Sequence, residues 1–420
     1  MTEFTRRQVM GTAAAMTAAA LASRGAIAAP SGKDQIDAAL RQGVASGQLA
    51  GVVAVAATDK GSFYEGAFGK RTAGQSQDMT VDSVFWIASM TKAITTAAAM
   101  QMVEQGKLSL RDPASNIVAE LANPMVLEGF DADGKPKLRP AKRAITLHDL
   151  ITHTAGFTYP MWDANNGVYA KYAEIPDIGS CKKAALLMPL AFDPGERWEY
   201  GINIDWAGQM VERVSGQSLN DYFQDHIFKP AGMTDTGFTL NEGLRSRLVG
   251  MHARQADGSL KPIEFMMEQK PEFYMGGGGL YSTAPDYLKF TQIFLHDGRF
   301  NGSQILRPET VAMMKKNQIG DLKVHVLKTV NPALSDDAEF FPGMSKGWSY
   351  GFMLNDEDAP TGRSAGSMAW AGLGNTYYWI DPVRKVSGVI MMQLLPFAEG
   401  PSLQEFAQFE TAAHQAAKSV

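Results

Sequence analysis

A chain of 420 residues and 45.5 kDa is longer than most single domains, so its length predicts two or three substructures. Its residues are 45% hydrophobic, 20% charged and 10% aromatic, which excludes a disordered, collagen-like or coiled-coil protein. The net charge of −5, with no basic stripe along the chain, argues against a nucleic-acid partner. Cys181 is the only cysteine, which excludes an intrachain disulfide and a CxxC redox or zinc site.

The first thirty residues have the composition of an export signal. Arg6 and Arg7 precede an uncharged, Ala-rich run at 9–22, and the small-residue stretch 26–28 follows. This pattern resembles a twin-arginine signal and predicts cleavage after Ala28, with the mature protein in the periplasm or outside the cell. An ordinary N-terminal helix or an uncleaved anchor is the alternative. No later run reaches the roughly 20 apolar residues of a membrane span, so no membrane partner is expected once residues 1–28 are removed.

Residue patterns after the signal predict a mixed α and β protein. Helices are predicted at 34–48, 89–106, 144–152, 182–188, 204–214 and 402–417. Strands are predicted at 52–57, 63–68, 348–353, 367–370, 376–380 and 386–393. Because the strands lie near both ends of the chain, we expect a discontinuous sheet domain of residues 29–87 and 276–420. Residues 88–275 are expected to form a helical domain, with the active site at the interface.

A serine followed by a lysine three positions later predicts a nucleophile. Ser89 and Lys92 have this spacing at the start of a predicted helix, where the lysine can take or relay the serine proton. The free N–H groups of a helix start also favour developing negative charge. The pattern alone is weak, since about one match is expected by chance in a chain of this composition.

Two other serines have formal motif matches. Ser180 precedes Lys183 with the same spacing, but we interpret this copy as a helix start with exposed lysines. Ser345 lies in a GxSxG match, yet the strand-like run after it differs from the helix that follows the nucleophile in α/β-hydrolases. Both are interpreted as non-catalytic.

The residues around Ser89 resemble those of a known superfamily. VFWIASMTKAITTAAAM (84–100) is similar to the nucleophile segment of serine β-lactamases and penicillin-binding proteins. The class C-like branch has further blocks that resemble, in order, LHDLITHTAGF (147–157), FDPGERWEYGINIDWAG (192–208), GGGGLYSTAPDYLKF (276–290) and WAGLGNTYYWIDP (370–382). This resemblance implies an α/β (α+β type) fold with a mainly antiparallel sheet flanked by helices and an inserted helical domain.

Within this branch the chain is most similar to family VIII carboxylesterases. β-Lactamases carry Tyr-x-Asn in the second block, whereas Ile202 stands here at the asparagine position and Asn203 would point elsewhere. The Lys-Thr-Gly block is replaced by Trp370-Ala371-Gly372, which removes a cation that would hold a substrate carboxylate. The resemblance therefore implies a small-molecule ester substrate and an apolar acyl or alcohol group.

The resemblance also implies the roles of the catalytic residues. Ser89 would attack the ester carbonyl and form an acyl-enzyme that water hydrolyses. Lys92 and Tyr200 would share the proton transfers, and the adjacent ammonium is expected to lower the pKa of Tyr200. Which of the two accepts the serine proton stays open.

Binding groups follow from the same resemblance. The backbone N–H groups of Ser89 and Leu373 would form the oxyanion hole. Trp370 and Gly372 are expected to contact the substrate, the glycine by allowing close approach of the backbone. No cofactor is implied.

The remaining motifs receive structural interpretations. His148 and His153 lack a third ligand, so no metal site is predicted. The segment 131–134 is interpreted as a turn rather than a calcium loop, and the run 276–279 as glycines required by close backbone packing.

Two alternatives to the esterase remain. The first is an amide hydrolase of the same fold, acting on β-lactams or D-amino-acid peptides. The second is a non-catalytic penicillin-recognising binding or sensor protein, which the presence of Ser89, Lys92 and Tyr200 disfavours.

Overall fold

The computed structural model describes residues 32–420, so the predicted export signal at residues 1–28 lies outside the described part. The helices are α1 (Gly32–Ala45), α2 (Thr91–Glu104), α3 (Leu147–Ile151), α4 (Ala164–Tyr172), α5 (Asn203–Ser215), α6 (Leu219–Phe223), α7 (Lys229–Ala231), α8 (Glu242–Arg245), α9 (Ala284–Leu295), α10 (Pro308–Met314) and α11 (Gly400–Ala417). Within residues 32–420, no helix is both long and apolar enough to cross a bilayer.

The strands are short and most lie near the two ends of the chain. They are β1 (Gly51–Thr58), β2 (Gly61–Gly69), β3 (Phe85–Trp86), β4 (Met125–Phe130), β5 (Pro136–Pro140), β6 (Met251–Arg254), β7 (Leu260–Ile263), β8 (Tyr281–Ser282), β9 (Arg299–Phe300), β10 (Ser303–Gln304), β11 (Lys346–Trp348), β12 (Met353–Asn355), β13 (Met368–Gly372), β14 (Thr376–Asp381), β15 (Val386–Met391) and β16 (Leu394–Leu395).

Seven strands form one antiparallel sheet in the order β11-β12-β13-β14-β15-β1-β2. Val53 of β1 pairs with Met391 of β15, so strands from the two ends of the chain are neighbours. Successive side chains of β14 pack on opposite faces, as strand geometry requires. Tyr378 contacts Tyr287 of α9, whereas Trp379 contacts Phe409 of α11. Helices therefore cover both faces of the sheet, which explains why every residue of β1 is buried.

Three local predictions are corrected by the structure. The predicted helix at 182–188 is a single 3-10 turn, Lys183–Leu186, and the predicted strand at 348–353 is split into β11 and β12 by a turn that Ser349 N–H closes on the Phe352 carbonyl. The hairpin of β4 and β5 lies in a segment that was expected to be helix or loop. The turn predicted at 131–134 is confirmed as the tip of this hairpin.

Helix α2 is central to the packing, as its run of small residues predicts. Ala97, Ala98 and Ala99 are fully buried, and twelve of the fourteen residues of the helix are buried. Gly106 follows its end in the left-handed conformation (φ 68°), which glycine adopts without steric cost. The buried helix therefore holds the residues at its N-terminus within the core.

Candidate active site

Ser89 lies in a 3-10 turn, Ala88–Met90, which connects β3 to the N-terminus of α2. The α-helix begins at Thr91, two residues later than predicted. Ala88 is a buried non-glycine residue with φ 43°, a strained conformation of the kind that functional turns retain. Met90 N–H bonds to the Ile87 carbonyl and closes the turn, which holds the Ser89 side chain beside that of Lys92.

Lys92 is fully enclosed and is held by three uncharged groups. Its Nζ lies 3.2 Å from Ser89 Oγ, 2.9 Å from Tyr159 Oη and 2.6 Å from the Gly277 carbonyl. Burial lowers the pKa of Lys92, although the Asp205 carboxylate acts in the opposite direction. The lysine is therefore much closer to a neutral base at physiological pH than an exposed lysine.

Asp205, near the start of α5, is the acidic group of the site. Its Oδ1 accepts the Gly277 N–H at 2.7 Å, while Oδ2 has no hydrogen-bond partner among the described residues. Burial raises the pKa of Asp205, and the nearby Lys92 opposes that rise. A Cβ on Gly277 would lie 2.4 Å from Asp205 Oδ2, so the close packing predicted for the glycine run is confirmed at this residue.

Tyr200 is held by a hydrogen bond from Trp370. The indole N–H of Trp370 donates to Tyr200 Oη at 2.8 Å, and both side chains are almost completely buried. The expectation that Lys92 lowers the pKa of Tyr200 is wrong, because burial outweighs the hydrogen bonds to Ser89 and Trp370 and raises that pKa. Lys92 Nζ lies 4.7 Å from the centre of the Tyr200 ring and donates to the Tyr159 hydroxyl instead. Tyr200 is therefore a phenol in the resting site.

The end of β13 lies against the serine turn. A Cβ on Gly372 would come within 2.3 Å of the Ile87 carbonyl and of Thr376 Oγ1, so this glycine lets β13 approach the turn itself. Leu373 is half-buried. Within residues 32–420, neither the Ser89 N–H nor the Leu373 N–H donates to a protein acceptor. Both N–H groups thus remain available for the predicted oxyanion hole.

The two candidate histidines have separate structural contacts. His148 Nδ1 lies 3.0 Å from the Tyr350 hydroxyl, whereas His153 Nδ1 lies 3.0 Å from Asn203 Nδ2. Burial holds the pKa of His153 well below its usual value, and its ring packs 4.7 Å from that of Tyr200. Asn203 also donates to the Phe157 carbonyl, so its side chain amide is bound to residues of the 147–157 block.

A cleft of about 660 Å³ opens beside the site. Tyr159, which contacts Lys92, and Ile202 line one side of it, and Val330 and Leu334 line it from the segment 320–345. Its walls are mainly apolar, with charged side chains at Lys171, Glu174 and Asp177. The isoleucine that replaces the asparagine of the Tyr-x-Asn motif thus contributes an apolar wall.

The two alternative serines lie in unsuitable surroundings. Ser345 is exposed, donates to Asp356 Oδ2 at 2.6 Å and is followed by β11 rather than by a helix. Ser180 ends a 3-10 turn, and Lys183 is exposed. The buried Lys346 follows Ser345, but its Nζ donates to the Phe341 and Met344 carbonyls and not to the serine hydroxyl.

Two residues of the site were missed by the sequence interpretation. Tyr159 lies two positions beyond the LHDLITHTAGF block, and Asp205 lies inside the block that contains Tyr200. Their proximity to matched motifs was the available signal, but neither has a spacing that predicts contact with Lys92.

Comparison with known proteins identifies the group to which this fold and site belong. The family model described as Beta-lactamase matches residues 36–413. The chain belongs to the beta-lactamase family. Among relatives in this family, a lovastatin esterase of Penicillium rubens is 32% identical, with 89% of this chain and 96% of that protein covered. A monacolin J acid methylbutanoyltransferase of Aspergillus terreus is 30% identical, with 86% and 91% covered.

Solved structures of the family agree with this assignment. Unliganded simvastatin synthase from Aspergillus terreus is 28% identical and superposes with a TM-score of 0.78, over 93% of this chain and all of that chain. EstCE1, a hydrolase with promiscuous acyltransferase activity, shares the fold at 23% identity, with a TM-score of 0.72 over 90% of this chain and 97% of that chain. The predicted fold and superfamily are therefore confirmed, and this beta-lactamase-fold group includes serine hydrolases and acyltransferases.

Proposed function

We propose that this chain is a serine carboxylesterase that hydrolyses small to medium apolar esters through an acyl-enzyme on Ser89. The observation that carries the proposal is the placement of Lys92, a buried amine 3.2 Å from Ser89 Oγ with only uncharged hydrogen-bond partners. A hydroxyl beside a poised base is the arrangement that activates a serine nucleophile.

The reaction has two steps. Ser89 Oγ attacks the ester carbonyl. The tetrahedral oxyanion then accepts hydrogen bonds from the free backbone N–H groups of Ser89 and Leu373. The alcohol then leaves, and water hydrolyses the acyl-enzyme. Lys92, whose Nζ lies 3.2 Å from Ser89 Oγ and 4.7 Å from the centre of the Tyr200 ring, and Tyr200 supply the proton transfers.

Two features favour an ester over a β-lactam. The indole of Trp370 stands where the Lys-Thr-Gly cation would hold a substrate carboxylate, and Ile202 supplies an apolar wall where the asparagine amide would lie. An uncharged acyl group loses nothing when that cation is absent, whereas a carboxylate loses a charge-assisted hydrogen bond of about 1.5–3 kcal/mol. The esterase relative agrees with this preference.

Acyl transfer to an alcohol is a second candidate. The cleft volume of about 660 Å³ is far larger than a water molecule requires, and several relatives are named as acyltransferases. Addition of an apolar alcohol during ester turnover tests this candidate, since transfer yields a new ester at the expense of free acid.

The deciding experiment compares turnover of p-nitrophenyl butyrate with turnover of a chromogenic cephalosporin. We expect rapid ester turnover and a butyryl adduct on Ser89 by intact mass and peptide mapping. Ser89→Ala should abolish both, and the matched variant Ser345→Ala should retain both. Faster cephalosporin turnover would instead identify a β-lactamase, and failure of every acylating probe to label Ser89 would favour the binding protein.

A further inference from the structure

Gln393 is a buried glutamine that lies outside the sequence motifs of the site. It follows β15 by two residues and is 4% exposed. Its Oε1 accepts the backbone N–H of Trp86 at 2.8 Å, and its Nε2 donates to the Trp86 carbonyl at 3.1 Å. A primary amide carries both donors and an acceptor, so one side chain can bond both backbone groups of a residue. Gln393 therefore binds Trp86 as a neighbouring strand would.

Trp86 is the last residue of β3 and precedes Ser89 by three positions. β3 pairs with β8 along one edge, and the N–H of Ile87 donates to the Leu280 carbonyl on that side. Because hydrogen-bonded and non-hydrogen-bonded pairs alternate along antiparallel strands, the backbone groups of Trp86 face away from β8. The Gln393 amide lies on this second side. It therefore fixes the strand that leads into the serine turn.

The same amide lies against the turn between β13 and β14, residues 373–375. A Cβ on Gly374 would come within 2.3 Å of Gln393 Nε2, so the turn packs directly on the amide. The N–H of Leu394 also donates to the Gly374 carbonyl at 3.2 Å, and the Gln393 carbonyl accepts the His252 N–H of β6 at 2.9 Å. The main chain at Gln393 is thus anchored, and its side chain connects the β13–β14 turn to β3.

Each of the two connected turns carries a backbone N–H that lacks a protein acceptor. Ser89 N–H belongs to the serine turn and Leu373 N–H to the β13–β14 turn, and both are free in the part of the chain that the structure describes. An oxyanion hole requires both donors within about 2.7–3.1 Å of the oxyanion. Gly372 brings the turns into contact at the Ile87 carbonyl, and Gln393 supplies a second attachment that prevents them from pivoting about that contact.

We propose that Gln393 is a positioning residue of the oxyanion hole, which holds the Ser89 and Leu373 N–H groups at the separation that a tetrahedral oxyanion requires. The inference rests on the proposed esterase function. Gln393 is buried and bonded to Trp86, so it acts through the backbone and not by contact with substrate. Because the full oxyanion exists only near the transition state, its effect belongs in kcat rather than in KM.

Gln393→Met removes both bonds to Trp86 and keeps the length of the side chain. We expect kcat for p-nitrophenyl butyrate to fall about 30- to 100-fold while KM changes less than about threefold, because a displaced donor weakens transition-state stabilisation. Butylboronic acid forms a tetrahedral adduct with a serine nucleophile, and its inhibition constant should rise by a similar factor. A raised KM with unchanged kcat would overturn the inference.

Gln101→Met is the matched control. Gln101 lies near the C-terminal end of α2, is 7% exposed, donates to the His226 and Ile305 carbonyls and accepts the Tyr222 hydroxyl. The variant loses comparable buried hydrogen bonds, so its Tm should fall about as much as that of Gln393→Met. Its kcat should stay within about twofold of wild type. An equal loss of kcat in the two variants would assign the effect to destabilisation and would contradict a positioning role.

Gln393→Glu gives a test that is independent of stability. A protonated carboxyl group has a donor and an acceptor and can reproduce both bonds to Trp86, whereas a carboxylate presents only acceptors to the Trp86 carbonyl. The ratio of variant to wild-type kcat/KM should therefore fall at least about tenfold from about pH 5 to about pH 9, as the new carboxyl group ionises. Use of the ratio removes the titration of Lys92, which both enzymes share. A ratio that does not change with pH would refute the inference.

Failure of the inference and failure of the proposed function give different results. A wild-type protein that neither hydrolyses p-nitrophenyl butyrate nor carries an adduct on Ser89 would refute the function. An active wild-type enzyme with an equally active Gln393→Met variant would refute the inference alone.

Discussion

Two buried cations in this protein have opposite surroundings. Arg363 and Glu410 are each 1% exposed or less, and the guanidinium bonds both carboxylate oxygens, at 2.5 and 2.9 Å. Lys92 is equally enclosed, yet its three hydrogen-bond partners are uncharged. Arg363 lies between β12 and β13 and connects that segment to α11, whereas Lys92 is in the first turn of α2.

The difference shows how burial of a charge can serve either structure or chemistry. A bidentate carboxylate offsets the desolvation of Arg363 and fixes two elements in one geometry. Lys92 has no such partner, so the same desolvation lowers its pKa and prepares it to accept a proton. The candidate catalytic lysine and the structural arginine are therefore distinguished here by their partners and not by their burial.

The largest expected effect comes from removal of the amine. Lys92→Met should lower kcat/KM for p-nitrophenyl butyrate by about 10³ to 10⁴-fold, because the serine loses its base. Thermal denaturation should show a Tm close to that of wild type, since an amine whose hydrogen-bond partners are all uncharged is replaced by an apolar chain of similar length, and Asp205 keeps its hydrogen bond from the Gly277 N–H. A large loss of stability would contradict the contrast drawn between the two cations.

Arg363→Met should have the converse effect. It leaves Glu410 buried without its partner, so urea unfolding should show a loss of about 3–5 kcal/mol. The kcat of the folded fraction should match wild type. Arg363→Met combined with Glu410→Leu should recover most of the lost stability, and failure to recover it would mean that packing rather than charge dominates at this pair.

Tyr159→Phe should produce a smaller change that is specific to the base. The ammonium form of Lys92 loses an acceptor at 2.9 Å, so the pKa of Lys92 should fall further and the acid limb of the pH profile of kcat/KM should move to lower pH. We expect kcat to fall about tenfold, because the lysine is less well oriented. If the acid limb of the pH profile does not move, Tyr159 does not affect the pKa of Lys92 and only lines the cleft. Tyr169→Phe, on α4, is the matched control.

Glu405→Gln should have the smallest effect, a change in stability that depends on pH. It extends the comparison of the two buried cations to a buried acid. Glu405 is 5% exposed, its Oε1 has no partner in the described residues, and burial raises its pKa from 4.5 to about 7. A carboxyl group whose pKa is raised by folding does not reduce stability when the pH is below its pKa in the unfolded state. As the pH rises from that pKa to the higher pKa of the folded state, the loss of stability grows. The variant should therefore match wild type near about pH 4.5 and gain on the order of 1 kcal/mol near about pH 8. Equal stabilisation at both values would exclude ionisation as the cause.

Contacts between residues that lie close together in the sequence could be predicted. Ser89 and Lys92 are three positions apart, so helical geometry alone brings them together. Tyr200 and Trp370 were identified from blocks that resemble those of the family rather than from contacts, and their mutual hydrogen bond is visible only in the fold. The sheet strands were largely predicted because each has a buried apolar run of its own.

Other features depend on tertiary contacts that no local pattern encodes. Tyr159 reaches Lys92 across 67 positions of sequence, and Asp205 acts on it from another helix. The direction of the Tyr200 pKa was mispredicted because burial of this side chain, which raises the pKa, follows from the fold and not from the local sequence. The hairpin of β4 and β5 was missed because Gly129 and Pro136 interrupt its strand pattern.

The strand order also constrains how the molecule can assemble. β1 lies between β2, which follows it directly, and β15, which ends at Met391 near the end of the chain. The pairing of β1 with β15 must therefore wait until residues 386–391 have emerged from the ribosome, and loop-closure entropy makes such a long-range contact slow to form. A truncation before residue 386 removes β15 and would leave β1 as an exposed apolar edge, the kind of strand on which other chains aggregate.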